Sequence, residues 1–125
     1  PAAATPELFY ENGRQLGFGD AVLSGRSTGV PGAVAALAMA QAEHGRLPWS
    51  QLFGEAERLA RDGFVVSPRL AGMIALTRGQ ARTEWANAYF TRPDGQRYQA
   101  GDTLRNPAYA DTVATLAQDG IAAFR

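Results

Sequence analysis

The sequence lacks two reactive side chains altogether and carries no excess charge. It contains no cysteine, so disulfide frameworks, thiol catalysis and cysteine-ligated metals are excluded. It contains no lysine either. Its twelve basic residues are all arginine, spread from Arg14 to Arg125, and twelve acidic residues bring the formal net charge to zero. A neutral chain argues against a general binder of nucleic acid or anionic membranes, because both need a basic excess.

Long apolar runs are missing too. No run approaches the roughly 18 residues of a membrane-spanning helix, and the N-terminus lacks the charged and apolar regions of a signal peptide. The start "PAAATPELF" has no methionine and is interpreted as processed or truncated, so a signal could precede Pro1. The 125 residues are typical of one domain, and 46% hydrophobic content is enough for a modest core.

Helix-start signals recur along the chain. Five predicted helices begin at a capping residue, a nearby proline or both, and end at a glycine. They run from Thr5 to Gly13, from Pro31 to Gly45, from Leu47 to Gly63, from Ser67 to Gly79 and from Asn106 to Gly120. These signals predict a mostly α fold of about five helices, and "IAAFR" after Gly120 is interpreted as the opening of another turn.

The segments between these helices are glycine-rich or turn-rich. Gly17 to Gly29 is predicted to be a loop, with "AVL" as a short strand at most, and a short helical turn is predicted around Thr83–Ala88. Pro93-Asp94-Gly95 is a strong β-turn signal, so a short hairpin is predicted near 89–98. We predict no sheet beyond this hairpin.

Apolar spacing predicts which helix faces turn inward. In the helix from Pro31 the apolar face holds Val34, Leu37, Ala38 and Met39, and its many alanines suggest close approach of neighbours and a central position. The inward residues predicted for the later helices are Leu52, Ala56, Leu59 and Ala60, then Leu70, Ile74 and Leu76, and finally Val113, Leu116 and Ala117.

The candidates for chemistry are few. His44 is the only histidine, and its place before a helix-ending glycine favours a surface or dipole-interacting residue over a catalytic one. Metal binding by His44 with Glu43 is disfavoured, because adjacent helix residues diverge. The glycines at 25, 29 and 32 could hold an anion on backbone N–H groups. A loop entering a helix is the favoured interpretation, since the GK[ST] of a phosphate loop is missing.

The remaining polar and aromatic candidates also have structural interpretations. Asp94 and Asp102 lack the ligand spacing of an EF-hand calcium loop. Glu55 and Glu57 do not show by spacing alone that they form a glycosidase-like pair. The two tryptophans, Trp49 and Trp85, are interpreted as packing anchors and not as base-stacking platforms, given the neutral charge. No residue is therefore assigned as catalytic, substrate-binding, cofactor-binding or metal-binding.

Three segments carry a resemblance to a known family. They are "TGVPGAVAALAMAQAEHGRLPW", "LARDGFVVSPRLA" and "RPDGQRYQAGDTLRNPAYADTVATLAQDGIAAF". In this order and spacing they resemble successive parts of the large subunit of γ-glutamyltransferases, over nearly the whole chain. The family usually has Gln-Pro where this chain has Gly54-Glu55, and an apolar residue near Glu57. Residues 1–125 are thus interpreted as one helical segment of such a subunit, truncated at both ends.

The resemblance implies an N-terminal nucleophile hydrolase with an αββα sandwich, of which these helices are an outer part. Such a precursor cuts itself, and the new N-terminal threonine of the small subunit attacks a γ-glutamyl amide with its own α-amine as base. Glutathione and related compounds are the implied donors, and water, amino acids or peptides the acceptors. No metal or organic cofactor is implied, and bacterial members are commonly periplasmic or secreted.

The same resemblance places the reactive groups outside this chain. The family's substrate-binding arginine lies in an R-E-x-A-P motif, and Pro1 looks like the proline that ends it. The arginine is therefore expected upstream of Pro1 and the catalytic threonine far downstream of Arg125. The chain alone is predicted to be inactive, with the rest of the large subunit and the small subunit as its partners.

Two alternatives stay open beside this interpretation. One is a stand-alone helical interaction module, and the other is a cephalosporin acylase or a poly-γ-glutamate depolymerase within the same superfamily. A segment removed from a larger enzyme should also expose apolar surface, so the isolated chain is predicted to form a homodimer or to aggregate. The exposed surface is expected on the helix 31–44 and around Phe9, Phe18, Trp49 and Phe124.

Overall fold

In the computed structural model of this chain, the described residues are 4–76 and 83–124, and most of them are helical. The α-helices are α1 (Phe18–Leu23), α2 (Ala33–His44), α3 (Gly54–Asp62), α4 (Pro68–Leu76), α5 (Glu84–Tyr89) and α6 (Pro107–Asp119). The four short strands are β1 (Tyr10–Glu11), β2 (Arg14–Gln15), β3 (Phe64–Val65) and β4 (Thr103–Leu104). The predicted mostly α fold is confirmed. Across the described residues, no helix is long and apolar enough to cross a membrane.

The chain divides into two compact units. Unit 1 comprises Pro1–Val30 and Arg69–Tyr98, and unit 2 comprises Pro31–Pro68 and Gln99–Arg125. Unit 2 therefore holds α2, α3, α6 and the β3–β4 pair, whereas unit 1 holds the β1–β2 hairpin, α1, α5 and nearly all of α4.

The core of unit 2 lies where α3 packs on α6. Ala110, Val113 and Leu116 are buried at intervals of three residues, so one face of α6 turns inward, and Ala60 of α3 is buried with them. The inward positions of Val113, Leu116 and Ala60 are as predicted, whereas the same prediction is wrong for Leu52, Ala56 and Leu59, which are exposed. Val66 after β3 and Leu104 of β4 are also buried in unit 2, and burying one such leucine contributes about 1.5–3 kcal/mol.

The two-residue strands β3 and β4 pair antiparallel, with Phe64 opposite Leu104. The prediction of no sheet beyond the 89–98 hairpin is wrong here. Strands of two residues carry no readable periodicity, and their partners lie far apart in sequence, so no local signal marks the pair. Gly63 is required beside it: its φ is +99°, and a Cβ there would lie 2.5 Å from the Thr103 Cγ2 atom.

The ends of α3 and α6 follow the helix signals closely. The Asn106 side chain accepts a hydrogen bond from the Tyr109 N–H at 3.0 Å and caps α6, which Pro107 begins. The predicted third helix, however, is split: a 3₁₀ turn (Trp49–Leu52) precedes α3, which begins only at Gly54. A second 3₁₀ turn (Gly120–Phe124) follows α6, as "IAAFR" suggested.

The helix α2 has nearly the predicted bounds but not the predicted burial. No residue of α2 is buried, and Leu37 and Met39 leave 64% and 67% of their surfaces exposed. The predicted central position is therefore wrong within this chain. The apolar residues of α2 surround the helix and do not form one stripe, so a single neighbour could cover only part of them.

Unit 1 begins with a β-hairpin where a helix was predicted. Tyr10 of β1 pairs with Gln15 of β2, and the two turn residues Asn12 and Gly13 have φ of 51° and 76°. An Asn-Gly pair with positive φ at both positions makes a type I′ turn, which suits a two-residue hairpin. The helix predicted from Thr5–Pro6 is wrong, because the Asn-Gly turn specifies a hairpin more strongly than a nearby proline specifies a helix start.

The predicted loop 17–29 is also partly helical. It contains α1 and a 3₁₀ turn (Gly25–Ser27), with Asp20 in the first turn of α1. The Ser24 hydroxyl donates to the Ala21 carbonyl at 2.8 Å and closes the helix end. Six residues of helix fall below the length at which periodicity is informative, so the glycines around α1 dominated the prediction.

The rest of unit 1 agrees better with the predictions. Ile74 of α4 and Ala86 of α5 are buried, and α5 lies one residue past the predicted turn. Leu70 is half-buried but Leu76 is exposed, and the predicted helix end at Gly79 lies outside the described residues. The 89–98 hairpin is confirmed as one antiparallel bridge between Thr91 and Arg97.

Candidate functional site

His44 and Glu43 lie together at the end of α2. The His44 Nε2 atom is 3.6 Å from the Glu43 Oε2 atom, and both side chains are largely exposed. Among the residues that the structure describes, no group of three or more His, Cys, Asp or Glu side chains could hold a metal ion. An exposed histidine at a helix end with one neighbouring carboxylate fits a surface residue near the negative end of the helix dipole.

The glycine segment does not have the architecture of a phosphate loop. A phosphate loop follows a strand, whereas Gly25 follows the helix α1. Gly32 is the residue before α2, and its φ of −95° is negative, so no left-handed conformation requires a glycine there. The local structure is a loop that enters a helix, as the sequence favoured.

The two aspartates are each used by a turn. The Asp94 carboxylate accepts from the Arg92 Nε–H at 3.2 Å and from the Gln96 N–H at 3.0 Å. The hydrogen bonds from Arg92, and after them the one from Gln96, hold the pKa of Asp94 below its ordinary value. Asp102 accepts from the Gln99 N–H at 2.8 Å. Both carboxylates fix backbone turns and are not arranged around a shared cation position.

Glu55 and Glu57 are paired with arginines of their own helix. The Arg58 guanidinium donates to Glu55 at 2.6 and 2.9 Å, which lowers the pKa of the Glu55 carboxyl. Arg61 donates to Glu57 at 3.1 Å and to Asp111 of α6 at 3.0 Å. A glycosidase acid needs a raised pKa, so the lowered pKa of Glu55 does not suit that role and fits a surface partner of Arg58.

The two tryptophans behave differently. Trp49 donates from Nε1 to the Leu116 carbonyl oxygen at 2.8 Å, and its ring meets the Phe53 ring edge-on at 4.9 Å. Trp49 therefore packs as predicted. Trp85 leaves 70% of its surface exposed, so the prediction of a packing anchor is wrong for it within this chain. The buried side of α5 is taken by Ala86, and adjacent residues of a helix, such as Trp85 just before it, point in different directions.

A half-buried arginine was missed by the sequence analysis. Arg97 donates from one terminal nitrogen to the Asn87 carbonyl and side-chain oxygens at 3.0 Å, and to the Thr91 hydroxyl at 3.2 Å. Its other terminal nitrogen reaches the Ile74 carbonyl at 3.4 Å. Arg97 thus joins α4 to α5. No local pattern marks one arginine among twelve for this role, because two of its four acceptors are backbone oxygens and Ile74 lies 23 residues away in sequence.

The predicted apolar edges are partly exposed. Phe18 leaves 86% of its surface exposed, whereas Phe9 and Trp49 are half-buried, and the Phe124 side chain lies outside what the structure describes. A groove of about 380 Å³ lies in unit 1 beside Phe18, and another of about 540 Å³ lies in unit 2 beside α2. Each unit thus carries an apolar groove, and neither groove is lined by a cluster of reactive groups.

Known proteins are similar to this chain over nearly its full length. A family model described as Gamma-glutamyltranspeptidase matches residues 1–124. This chain belongs to the γ-glutamyltranspeptidase family. It is 35% identical over 124 residues to glutathione hydrolase 2 of Arabidopsis thaliana, a match that covers 99% of this chain and 21% of that protein. The chain thus spans about a fifth of the length of the curated relatives it matches.

Solved structures agree with the family in fold. The γ-glutamyltranspeptidase of Helicobacter pylori is similar with a TM-score of 0.86 and 26% identity, over 99% of this chain and 36% of that chain. A cephalosporin acylase from Bacillus halodurans is similar over 72% of this chain and 18% of its own, with a TM-score of 0.58 and 29% identity. The predicted likeness to the helical part of an N-terminal nucleophile hydrolase is confirmed.

The departures from the family pattern lie on the surface of unit 2. Gly54 and Glu55 are the first residues of α3, and both are exposed. Glu57 is half-buried, and its hydrogen bond with Arg61 replaces the apolar contact that the resemblance implies at this position.

Proposed function

We propose that this chain is one helical segment of a γ-glutamyltransferase large subunit, truncated at both ends. The observation that carries the proposal is a family match over residues 1–124 by a chain that spans only a fifth of its relatives. The parent enzyme cleaves γ-glutamyl amides and transfers the γ-glutamyl group to water, amino acids or peptides. The glutathione named in the relatives' descriptions is its proposed donor class.

In the parent, the chemistry is supplied from outside this segment. The N-terminal threonine of the small subunit attacks the γ-glutamyl carbonyl, its α-amine accepts the proton, and backbone N–H groups stabilise the oxyanion. The segment contributes scaffold. This role is supported by the carboxylates of Glu55 and Asp94, whose pKa values are lowered by arginine partners and so suit no general acid at neutral pH.

The isolated segment is proposed to be inactive. A chromogenic assay tests this inactivity and also the reaction proposed for the parent enzyme. The parent polypeptide should release p-nitroaniline from γ-glutamyl-p-nitroanilide, and the segment 1–125 should not. Turnover by the purified segment that is lost on His44→Ala would contradict the scaffold role. A processed parent that binds but never turns over γ-glutamyl amides would contradict the proposed reaction.

The alternatives are less well supported. The TM-score to the cephalosporin acylase is 0.58, below the 0.86 to the γ-glutamyltranspeptidase, and the match covers a smaller share of this chain. A stand-alone interaction module would have to carry a family match over residues 1–124 without the family's chemistry.

We also propose partners and a location for the parent. The segment pairs with the rest of the large subunit and with the small subunit, and it needs no nucleic acid or metal. The parent is exported to the periplasm or secreted, in line with the family resemblance. When the segment is separated from the parent, its exposed apolar side chains should give weak, concentration-dependent homodimers, which light scattering over a concentration series would detect.

A further inference from the structure

The tip of the β1–β2 hairpin is an Asn-Gly pair without hydrogen-bond partners. Asn12 and Gly13 are both exposed, and a Cβ at Gly13 would meet nothing within 4 Å. Among residues 4–76 and 83–124, neither the Asn12 side chain nor the Gly13 N–H has a hydrogen-bond partner. The side-chain amide and the backbone nitrogen that follows it are therefore both free to react with each other.

The other pairs of this kind in the sequence are held by hydrogen bonds. Three aspartates also precede a glycine, at positions 62, 94 and 119. In each case the glycine N–H donates to a backbone carbonyl three or four residues earlier, and the bonds run from Gly63 to Leu59, from Gly95 to Arg92 and from Gly120 to Leu116. A bonded N–H cannot attack the preceding side chain until its hydrogen bond breaks, so local structure protects these three sites.

The remaining asparagines are also unsuited to this reaction. Asn106 precedes Pro107, which has no N–H, and its side chain caps α6. Asn87 lies inside α5, and its side-chain oxygen accepts from Arg97 at 3.0 Å. Within the described residues, only Asn12 combines an unbonded side chain with an unbonded N–H on the next residue.

The hairpin fixes one strand and leaves its tip weakly restrained. Arg26 donates to the Tyr10 carbonyl at 2.8 Å and lies 3.5 Å from the Glu11 carboxylate, so β1 is held in place. Each strand has only two residues, and a two-stranded hairpin is marginally stable in water. The turn can therefore leave its positive-φ conformation at low cost. Gly13 favours the reaction further, because no Cβ hinders the approach of its nitrogen.

We propose that Asn12 is a site of spontaneous deamidation, with Gly13 as the internal nucleophile. The Gly13 backbone nitrogen loses its proton to hydroxide and attacks the Asn12 Cγ atom. The bond from Cγ to Nδ2 breaks, and ammonia leaves with a proton from water, so a five-membered succinimide remains. Water then adds to either ring carbonyl and opens the ring to aspartate or isoaspartate. Water is the only co-reactant, and the modification needs no group of the γ-glutamyl transfer reaction.

The two products affect the hairpin differently. Both add a carboxylate next to Glu11. Aspartate keeps the main chain unchanged and tolerates a left-handed conformation much as asparagine does. Isoaspartate adds a methylene to the main chain, so a two-residue turn no longer joins Glu11 to Arg14 in the observed register. The hairpin should therefore persist in the aspartate form and open in the isoaspartate form.

Isotope-labelled water tests the proposal in the complete polypeptide that contains this chain. The folded polypeptide is incubated in water enriched in heavy oxygen and digested with trypsin in ordinary water, so only deamidation before digestion carries the label. Cleavage after Arg14 separates Asn12 from the other asparagines of the chain. Asp62→Asn is the matched control, because it places the same dipeptide where the Gly63 N–H is bonded to Leu59. Labelling at position 12 should be at least about 10-fold faster than at position 62 in the folded polypeptide, and the rates should be comparable in urea.

Equal labelling of the two positions in the folded polypeptide would overturn the proposal, as would labelling at position 12 that occurs only in urea. A rate that does not rise with hydroxide concentration would also contradict it, because the attack requires loss of the Gly13 amide proton. If Asp62→Asn does not fold, the ratio of folded to urea rates is compared between Asn12 and Asn87, and it should be higher at Asn12. The measurement is of mass and not of turnover, so its failure leaves the proposed γ-glutamyl transfer unaffected, and an inactive enzyme leaves this inference unaffected.

Discussion

Two helices of unit 2 have similar sequences and opposite surroundings. Both α2 and α6 are alanine-rich, have a proline at or near their start and are followed by a glycine, and they span 12 and 13 residues. Yet α6 buries Ala110, Val113 and Leu116, whereas α2 buries nothing. The difference is one of pattern, because α6 presents one apolar face and α2 is apolar on all sides. Helix formation is therefore encoded locally in both, and burial depends on which neighbours the chain contains.

The largest effect on stability is expected from truncating one leucine in each of these two helices. Leu116→Ala should lower the free energy of unfolding by about 2–5 kcal/mol, because it leaves a cavity between α6 and α3. Leu37→Ala is the matched control and should change it by no more than about 0.5 kcal/mol, because Leu37 is largely exposed. Urea denaturation of the chain measures both. Similar losses for the two variants would show that α2 is buried in solution.

A second test concerns the backbone that brings α3 to the β3–β4 pair. Gly63→Ala should destabilise unit 2 by about 1–3 kcal/mol from strain at φ of +99°. The new Cβ would also lie 2.9 Å from the Arg105 Cγ atom, which adds to the loss. Gly54→Ala is the control, because a Cβ there meets nothing within 4 Å. If Gly63→Ala unfolds at the same urea concentration as Gly54→Ala, then the left-handed conformation at Gly63 is not needed in solution.

These contrasts also show where sequence reasoning succeeds. The start of α6 was predictable because Asn106 and Pro107 act within one turn of the chain. The β1–β2 hairpin could have been predicted from Asn12-Gly13, but the proline start at Pro6 was given more weight. The β3–β4 pair and the bonds of Arg97 could not, because their partners are set by the tertiary fold.

The residues considered for the candidate site also show that sequence predicts local features better than tertiary ones. The sequence correctly assigned His44 to a helix end and Asp94 to a turn, because both signals are local. It did not predict the groove beside α2. A groove forms from the relative positions of two segments, and the apolar residues of α2 alone predicted a buried helix.

A smaller change in the free energy of unfolding should distinguish substitutions at the two tryptophans. Trp49→Phe keeps most of the ring but removes the 2.8 Å hydrogen bond from Nε1 to the Leu116 carbonyl, so unfolding free energy should fall by about 0.5–1.5 kcal/mol. Trp85→Phe is the control and should be nearly neutral, because Trp85 is 70% exposed. Fluorescence-monitored denaturation suits both variants, since each keeps one tryptophan. A larger loss from Trp85→Phe would indicate that unit 1 covers Trp85 in solution.

The smallest expected effect lies on the charged surface of α3, which contrasts with the apolar surface of α2. Arg58 holds the pKa of Glu55 below its ordinary value of 4.5 through its hydrogen bonds to the carboxylate. A carboxyl whose pKa is lower in the folded chain than in the unfolded chain stabilises the fold above the unfolded value, and this contribution is lost as pH falls through the folded value. Because Glu55 is exposed, the contribution to stability should be slight.

Carboxyl NMR titration of the chain measures this pair directly. Arg58→Gln should return the pKa of Glu55 toward 4.5, and it should leave the pKa of Asp94 low, because Arg92 and the Gln96 N–H hold that carboxylate independently. The titration should also show that the loss of the Glu55 contribution begins below pH 4.5 and not in the neutral range. An unchanged Glu55 titration in Arg58→Gln would mean that the pair does not form in solution. The position of α3 would then rest on its packing against α6 and on the hydrogen bonds of Arg61, and not on the Glu55–Arg58 pair.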